Sequence, residues 1–178
     1  MEEEERKVEE QKASDFLAGK NKPDASAEAA SAGSEPELVR RLRLYDGSSD
    51  AERVFAAARE KDKGNELFRA REYTAAIDAF SLALALHPNQ PAVHSNRAAA
   101  YLKVKRFDDV VEDCTHALTC ADDAFKANAA SMMKVLMRRG FARSELKRYD
   151  EAVEDLDRAT EFAETVGNDA ALRDIQEK

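Results

Sequence analysis

The sequence predicts an all-α protein made of stacked helix-turn-helix repeats. Three observations carry that expectation. Charged residues make up 36% of the 178 residues, tryptophan is absent, and alanine, leucine, glutamate, lysine and arginine dominate, as in chains of solvated helices. An aromatic residue recurs three times with an alanine ten residues after it and a tiny residue nine before it. Ser49 followed by Glu52 is a capping-box pattern, which opens a helix just where the regular part of the chain begins.

The three copies of the pattern are Gly64, Tyr73 and Ala83; Ala98, Phe107 and Ala117; and Gly140, Tyr149 and Ala159. The first two copies lie 34 residues apart and the last two 42. Each copy reads as two antiparallel helices. The tiny residue marks the place where helix A crosses helix B closely. Glycine there costs a helix about 1 kcal/mol relative to alanine, so packing must outweigh propensity. The aromatic marks the start of helix B and packs under the turn. The second alanine allows a close approach to the next unit. Pro88 ends the first unit, because proline cannot continue a helix.

The remaining segments follow in chain order. Residues 1–20 are strongly charged and read as a solvated helix or a disordered tail. NKPDASAEAASAGSEP (21–36) is a small-residue linker with Pro23 and Pro36. ELVRRLRLYDG (37–47) predicts a short amphipathic helix with Leu38, Leu42 and Tyr45 on one side, and Arg40, Arg41 and Arg43 as a solvated basic face. Residues 1–49 thus form a charged, partly disordered N-terminal segment, and 50–178 the repeat domain. Repeats are expected at about 57–90, 91–124 and 133–166. FKANAASM (125–132) is an insertion before the third repeat, lengthening a helix or a loop. NDAALRDIQEK, within 167–178, reads as the start of a capping helix over the last repeat's apolar face, cut short as in a fragment of a longer chain.

Several function classes are excluded at this level. No run of about 18 apolar residues exists to span a membrane, and MEEEERKVEE lacks the apolar segment of a secretory signal. A net charge of −8 argues against general affinity for nucleic acid. Cys114 and Cys120 fit neither a metal motif nor a redox pair, and read as small apolar side chains in a reducing compartment. His87, His94 and His116 show no ligand spacing. No catalytic constellation is visible, so the expectation is a non-enzyme without cofactor or metal.

The segments GNELFRAREYTAAIDAFSLALALHP, NRAAAYLKVKRFDDVVEDCTHAL and RRGFARSELKRYDEAVEDLDRA resemble the tetratricopeptide repeat, a 34-residue helix-turn-helix module. The resemblance covers roughly two-thirds of the chain. Val110 departs from it, standing where helix B of the second repeat usually has a small residue. It implies a right-handed superhelix with the A helices lining the concave wall. Lys61 and Asn65 sit four apart on the first A helix, Asn96 on the second, and Lys134 and Arg138 four apart on the third. The set comprises three cations and two amides and contains no acid. Like charges gathered on one wall repel, so the arrangement makes sense if the missing anion comes from outside.

These five residues resemble the carboxylate clamp of co-chaperone tetratricopeptide domains, with all five identities matching. That resemblance implies binding of the Glu-Glu-Val-Asp C-terminus of heat-shock protein 90 or heat-shock protein 70. Lys61, Asn65 and Asn96 would hold the terminal carboxylate, and Lys134 and Arg138 the terminal aspartate side chain and nearby peptide groups. Ala99, Leu102 and Lys103, which flank Asn96, would form the pocket for upstream peptide residues. Charge-assisted hydrogen bonds of roughly 1.5–3 kcal/mol each, less the cost of ordering the tail, predict a micromolar affinity, about −8 kcal/mol.

The insertion followed by KANAASMMKVLMRRGFA also resembles the dyslexia-associated dynein axonemal assembly factor family. That family implies a cytoplasmic role in bringing chaperones to dynein subunits. Its N-terminal β-sandwich co-chaperone domain is absent from these 178 residues. Two other readings stay open: a general interaction scaffold recognising an internal peptide or a partner helix, and the targeting domain of a larger enzyme.

Overall fold

The computed structural model describes residues 36–166. The charged tail, nearly all of the expected linker, and the expected cap at 167–178 lie outside the described residues. The described part contains eight helices and no strand: α1 (Glu37–Arg43), α2 (Asp50–Arg69), α3 (Tyr73–Leu86), α4 (Pro91–Lys103), α5 (Phe107–Thr119), α6 (Asp123–Ala127), α7 (Ala129–Glu145) and α8 (Tyr149–Val166). The chain divides into two units after Gly47. In the first, α1 is a two-turn helix with Leu38, Leu42 and Tyr45 half-buried. The second holds the repeats.

Ser49 caps α2 as a complete capping box. Its hydroxyl accepts from the Glu52 amide, and its own amide donates to Glu52 Oε2 at 2.8 Å. From Asp50 the helix runs 20 residues, so it starts about two turns before the repeat expected near 57. Helices α2, α4 and α7 are the A helices, and each packs against its own B helix (α3, α5, α8). Each B helix also packs against the next A helix, and α2 touches α4 as α4 touches α7, so the A helices form one continuous wall.

Each B helix begins at its aromatic: Tyr73, Phe107 and Tyr149. Ahead of each lies a three-residue turn whose middle residue is left-handed: Arg71, Lys105 and Lys147, with φ of 65°, 60° and 61°. The amide after it reaches back five residues, Glu72 to Leu67, Arg106 to Tyr101 and Arg148 to Arg143. This closes the A helix as a Schellman motif does. A left-handed residue other than glycine costs roughly 1–2 kcal/mol, a strain the surrounding packing holds in place.

Gly64 faces the ring of the fully buried Phe80, and a Cβ built there would lie 2.5 Å from Phe80 Cε1. Gly140 faces Leu156 in the same way, with Cγ 3.0 Å from such a Cβ. In the second repeat the equivalent positions are Ala98 and Cys114, both wholly buried, so a smaller partner leaves room for a methyl group. Burial pushes the Cys114 thiol up to about 12, as suits a packed apolar side chain. Ala83, Ala117, Ala159 and Val110 are also fully buried. Tyr149 departs from expectation: it is 60% exposed, and Val153 beside it 56%. Their counterparts Phe107 and Val111 are half-buried, and Phe107 meets Phe141 of α7 edge-on at 6.4 Å. No described helix follows α8 to cover the third pair.

The insertion forms α6 and the first turn of α7. Asp122 Oδ1 accepts from the Phe125 amide and Asn128 Oδ1 from the Ser131 amide, so each helix carries its own cap. Phe125 anchors α6 on the main apolar core.

A buried polar interlock recurs between repeats. Arg97 donates through Nε and Nη2 to both oxygens of Asp113, at 2.8 and 2.7 Å, and through Nη1 to Ser81 Oγ at 2.9 Å. Arg139 donates through Nε and Nη2 to Asp155 at 2.8 and 2.6 Å, and through Nη1 to Thr115 Oγ1 at 3.2 Å. Each arginine therefore joins its A helix to its own B helix and to the B helix of the preceding repeat. The first repeat has exposed Lys63 and buried Ala79 at these positions and lacks the pair. Burial alone would raise the Asp113 pKa. The hydrogen bonds and charge of Arg97, with His94 Nδ1 2.9 Å away, reverse that and hold it below the usual carboxylate range.

Two outcomes follow. Gly64→Ala should destabilise the domain by roughly 1–2 kcal/mol in urea denaturation, because overpacking against Phe80 exceeds the helix-propensity gain. A more stable variant would show that Phe80 moves freely. Asp113→Ala should cost about 3–5 kcal/mol at neutral pH, since it strands a buried guanidinium. Because Asp113 has a depressed pKa when folded, its stabilisation is present above the unfolded carboxylate pKa and disappears as pH falls through the folded value. The gap between wild type and Asp113→Ala should therefore narrow in acid, and a pH-independent gap would contradict the assignment.

Candidate functional site

The wall of A helices is where the five sequence-singled residues lie. Asn65 on α2 and Asn96 on α4 meet directly, Asn96 Nδ2 donating to Asn65 Oδ1 at 2.9 Å. This bond occupies the Asn65 oxygen and leaves its amide N–H groups, along with the second N–H of Asn96, to serve other acceptors. Lys61 stands one turn before Asn65, half-buried, with Asp62 Oδ1 3.7 Å from its ammonium. The five residues include no acid, but Lys61 has one beside it in the chain, the exposed Asp62. Such a loose, solvated pair is weak and readily exchanged.

On α7, Lys134 is exposed and makes no ion pair with a described residue. Arg138, one turn on, is half-buried and crosses to α4. Its Nη1 donates to the Ser95 carbonyl at 3.0 Å and to Ser95 Oγ at 2.6 Å. Both acceptors are neutral. Burial pulls the Arg138 pKa below the ordinary arginine value, and only the Cys114 thiol acts the other way. Arg97 is more deeply buried, yet its pKa is raised, because the hydrogen bonds and charge of Asp113 outweigh its own burial. Of the four arginines packed among the repeats, Arg97, Arg139 and Arg143 each hold a carboxylate within 3.0 Å. Arg138 holds none among the described residues.

Lys134 and Arg138 edge a shallow depression of about 290 Å³ whose other walls are Leu102, Met137 and Phe141. Of the three residues expected to flank Asn96, only Leu102 lines it. Ala99 is half-buried and Lys103 exposed, and neither lines this depression. Met137 and Phe141 complete it from the same helix as the two cations. Met137 lies three residues after Lys134 and Phe141 three after Arg138, and that spacing was the available signal. The geometry joins Asn65 to Asn96, Arg138 to the residue before Asn96, and Arg138 to Lys134. Lys61 is tied to the others only through its place on α2. Among the described residues no cluster of histidine, cysteine or carboxylate side chains is suited to a metal. Cys114 and Cys120 are both free, the first buried and the second half-buried. No described helix is long and apolar enough to cross a membrane.

The repeat geometry and the wall it builds can be set against known proteins. A profile of the TPR repeat matches residues 64–105. The structure aligns with the first TPR domain of Spaghetti (RPAP3) bound to the HSP90 peptide SRMEEVD at a TM-score of 0.59 and 30% identity, covering 70% of this chain and 90% of that one. The chain belongs to the tetratricopeptide-repeat family. This TPR chain also aligns with the TPR2B domain of yeast Sti1 in complex with an Hsp70 peptide, at a TM-score of 0.58 and 27% identity over 69% of this chain and 92% of that one. In sequence it is 43% identical over 86 residues to dynein axonemal assembly factor 4 of Rattus norvegicus, a match that covers 48% of this chain. It is 38% identical over 85 residues, again 48% of this chain, to the E3 ubiquitin-protein ligase CHIP of Arabidopsis thaliana. These matches span only 20% and 31% of the two relatives' own lengths.

Because Arg138 is half-buried without a compensating carboxylate among the described residues, its charge does little for the fold. Arg138→Met should leave the melting temperature within a few degrees of wild type, whereas Arg97→Met, which strands Asp113, should lower it by the equivalent of about 3–5 kcal/mol. Equal losses would mean that Arg138 is a structural residue.

Proposed function

We propose that this TPR domain is a non-catalytic adaptor that captures the free C-terminus of an acidic peptide, of the Glu-Glu-Val-Asp type carried by heat-shock proteins 90 and 70. The observation that carries this reading is Arg138: a half-buried guanidinium with only neutral oxygens as partners, one turn from the exposed Lys134 and bonded to Ser95, the residue before Asn96 of the Asn65–Asn96 amide pair. A chain end that is also an aspartate brings two carboxylates on one residue. Lys61, Asn65 and Asn96 would take the main-chain carboxylate. Lys134 and Arg138 would take the side chain, and Leu102, Met137 and Phe141 would meet the apolar upstream residue. The amides matter because they add donors without adding repulsion between the three cations. Solved structures of the same fold that carry such peptides support the reading.

The likeness to the rat dynein axonemal assembly factor extends the proposal. The domain would hold a chaperone in the cytoplasm near client proteins such as dynein subunits, with client recognition supplied elsewhere.

Calorimetric titration with a Met-Glu-Glu-Val-Asp peptide tests the reading. The free acid should bind with a dissociation constant on the order of micromolar. Amidating its C-terminus should abolish measurable binding, and Lys134→Ala should weaken the free acid by roughly 1.5–3 kcal/mol. Equal affinity for acid and amide would instead identify a scaffold for internal segments.

A further inference from the structure

Arg97 and Arg139 show how an arginine is held in this fold. In both, Nη1 donates to a hydroxyl on a neighbouring helix while the Nε–Nη2 edge grips a carboxylate side-on with two parallel bonds. Arg138 repeats the first half of that arrangement. Its Nη1 donates to the hydroxyl of Ser95, a buried residue of α4, and also to the Ser95 carbonyl. The second half is missing, since its Nε–Nη2 edge meets no carboxylate among the described residues. Nor is that edge sealed off: the one fully buried side-chain nitrogen or oxygen without a partner among the described residues is Nε of Arg143.

We infer that Ser95 is a positioning residue, which fixes Arg138 so that its Nε–Nη2 edge takes one ligand carboxylate side-on and bidentate. The inference rests on the acidic-peptide reading above and adds the orientation and the residue that enforces it. The physical case is preorganisation. A free arginine side chain loses considerable rotamer entropy when it grips a ligand, and one already anchored at Nη1 from a buried backbone loses less. The anchor also selects which edge remains, because two acceptors on Nη1 leave the Nε–Nη2 fork as the bidentate face. Two parallel N–H bonds match the spacing of a carboxylate's oxygens, which an ammonium group cannot do.

The test is titration of the full 178-residue chain with Met-Glu-Glu-Val-Asp as free acid and with the variant peptide ending in Asn. Wild type should prefer Asp to Asn at the last position by at least tenfold. Ser95→Ala should weaken the Asp peptide on the order of five- to tenfold and narrow the Asp/Asn preference, with an unchanged melting temperature. Arg138→Lys should lose as much as Arg138→Ala, because charge without the fork does not serve. In the Arg138→Ala background, Ser95→Ala should have no further effect, which a general loss of structure would not reproduce. If wild type binds the free acid but Ser95→Ala binds as well or better, Ser95 is a bystander or a competitor of the ligand, and the inference fails while the peptide reading stands. If wild type binds neither peptide, both fail together. Full retention by Arg138→Lys overturns the side-on geometry.

Discussion

The stack of repeats depends on a buried arginine that reaches two other helices at once. Apolar packing alone would leave neighbouring repeats free to slide, because alanine-rich faces are smooth and their attraction has little direction. Arg97 and Arg139 remove that freedom. Each guanidinium satisfies three donors on fixed acceptors, and a shift of one helix by an ångström would break bonds to a buried carboxylate with no water to replace them. Such a pair contributes less to stability than to a single register, since the cost of desolvating both ions offsets much of their attraction. The first repeat has Lys63 and Ala79 in these places, and no repeat precedes it among the described residues.

That frame gives Arg138 its meaning. It is adjacent in sequence to Arg139, on the same helix, yet the two are treated oppositely. Arg139 points into the repeat and is neutralised within it. Arg138 points across to α4 and is anchored only by Ser95. A guanidinium held without a counter-ion stores unfavourable desolvation, which an incoming carboxylate relieves. The fold tolerates the unpaired charge because Asp155, Asp113 and their arginines fix the surrounding helices independently of it.

Much of this architecture was legible in one sequence. The recurrence of Gly64, Ala98 and Gly140 with their aromatics marked the helix crossings and the first residue of every B helix, since both demands are local and steric. The capping box at Ser49 and Glu52 was equally direct. The residues proposed for the groove could be singled out as identities at helical spacing. Side-chain direction was not legible. The four-residue spacing from Lys134 singles out Arg138, but it does not say which of Arg138 and Arg139 is paired within the fold; only the separation of 16 residues shared by Arg97–Asp113 and Arg139–Asp155 hints at that. Ser95 carried no signal, because a buried hydroxyl's role depends on a side chain 43 residues away. The left-handed Arg71, Lys105 and Lys147 were also hidden, since a basic residue two positions before an aromatic carries no conformational signature such as glycine would. Tyr149 departs from expectation for a non-local reason as well: its counterpart Phe107 packs against Phe141 of the next A helix, and no described helix follows α8.

The insertion shows which of these constraints governs the groove. Between the second and third repeats the period lengthens from 34 to 42 residues, an excess that taken alone would throw α7 out of line with α4. The whole excess falls between the hydroxyl and the arginine of the interlock: Ser81 and Arg97 are 16 residues apart, Thr115 and Arg139 24, while both arginine–aspartate separations stay at 16. The extra residues are absorbed by α6 and by the first turn of α7, each with its own cap, and the same three-way contact is made on either side of them. The alignment of the wall is therefore set by buried polar contacts and not by chain length. Arg138 can meet Ser95 beside Asn96 because Arg139, one residue on, has already fixed the height of α7 against α5.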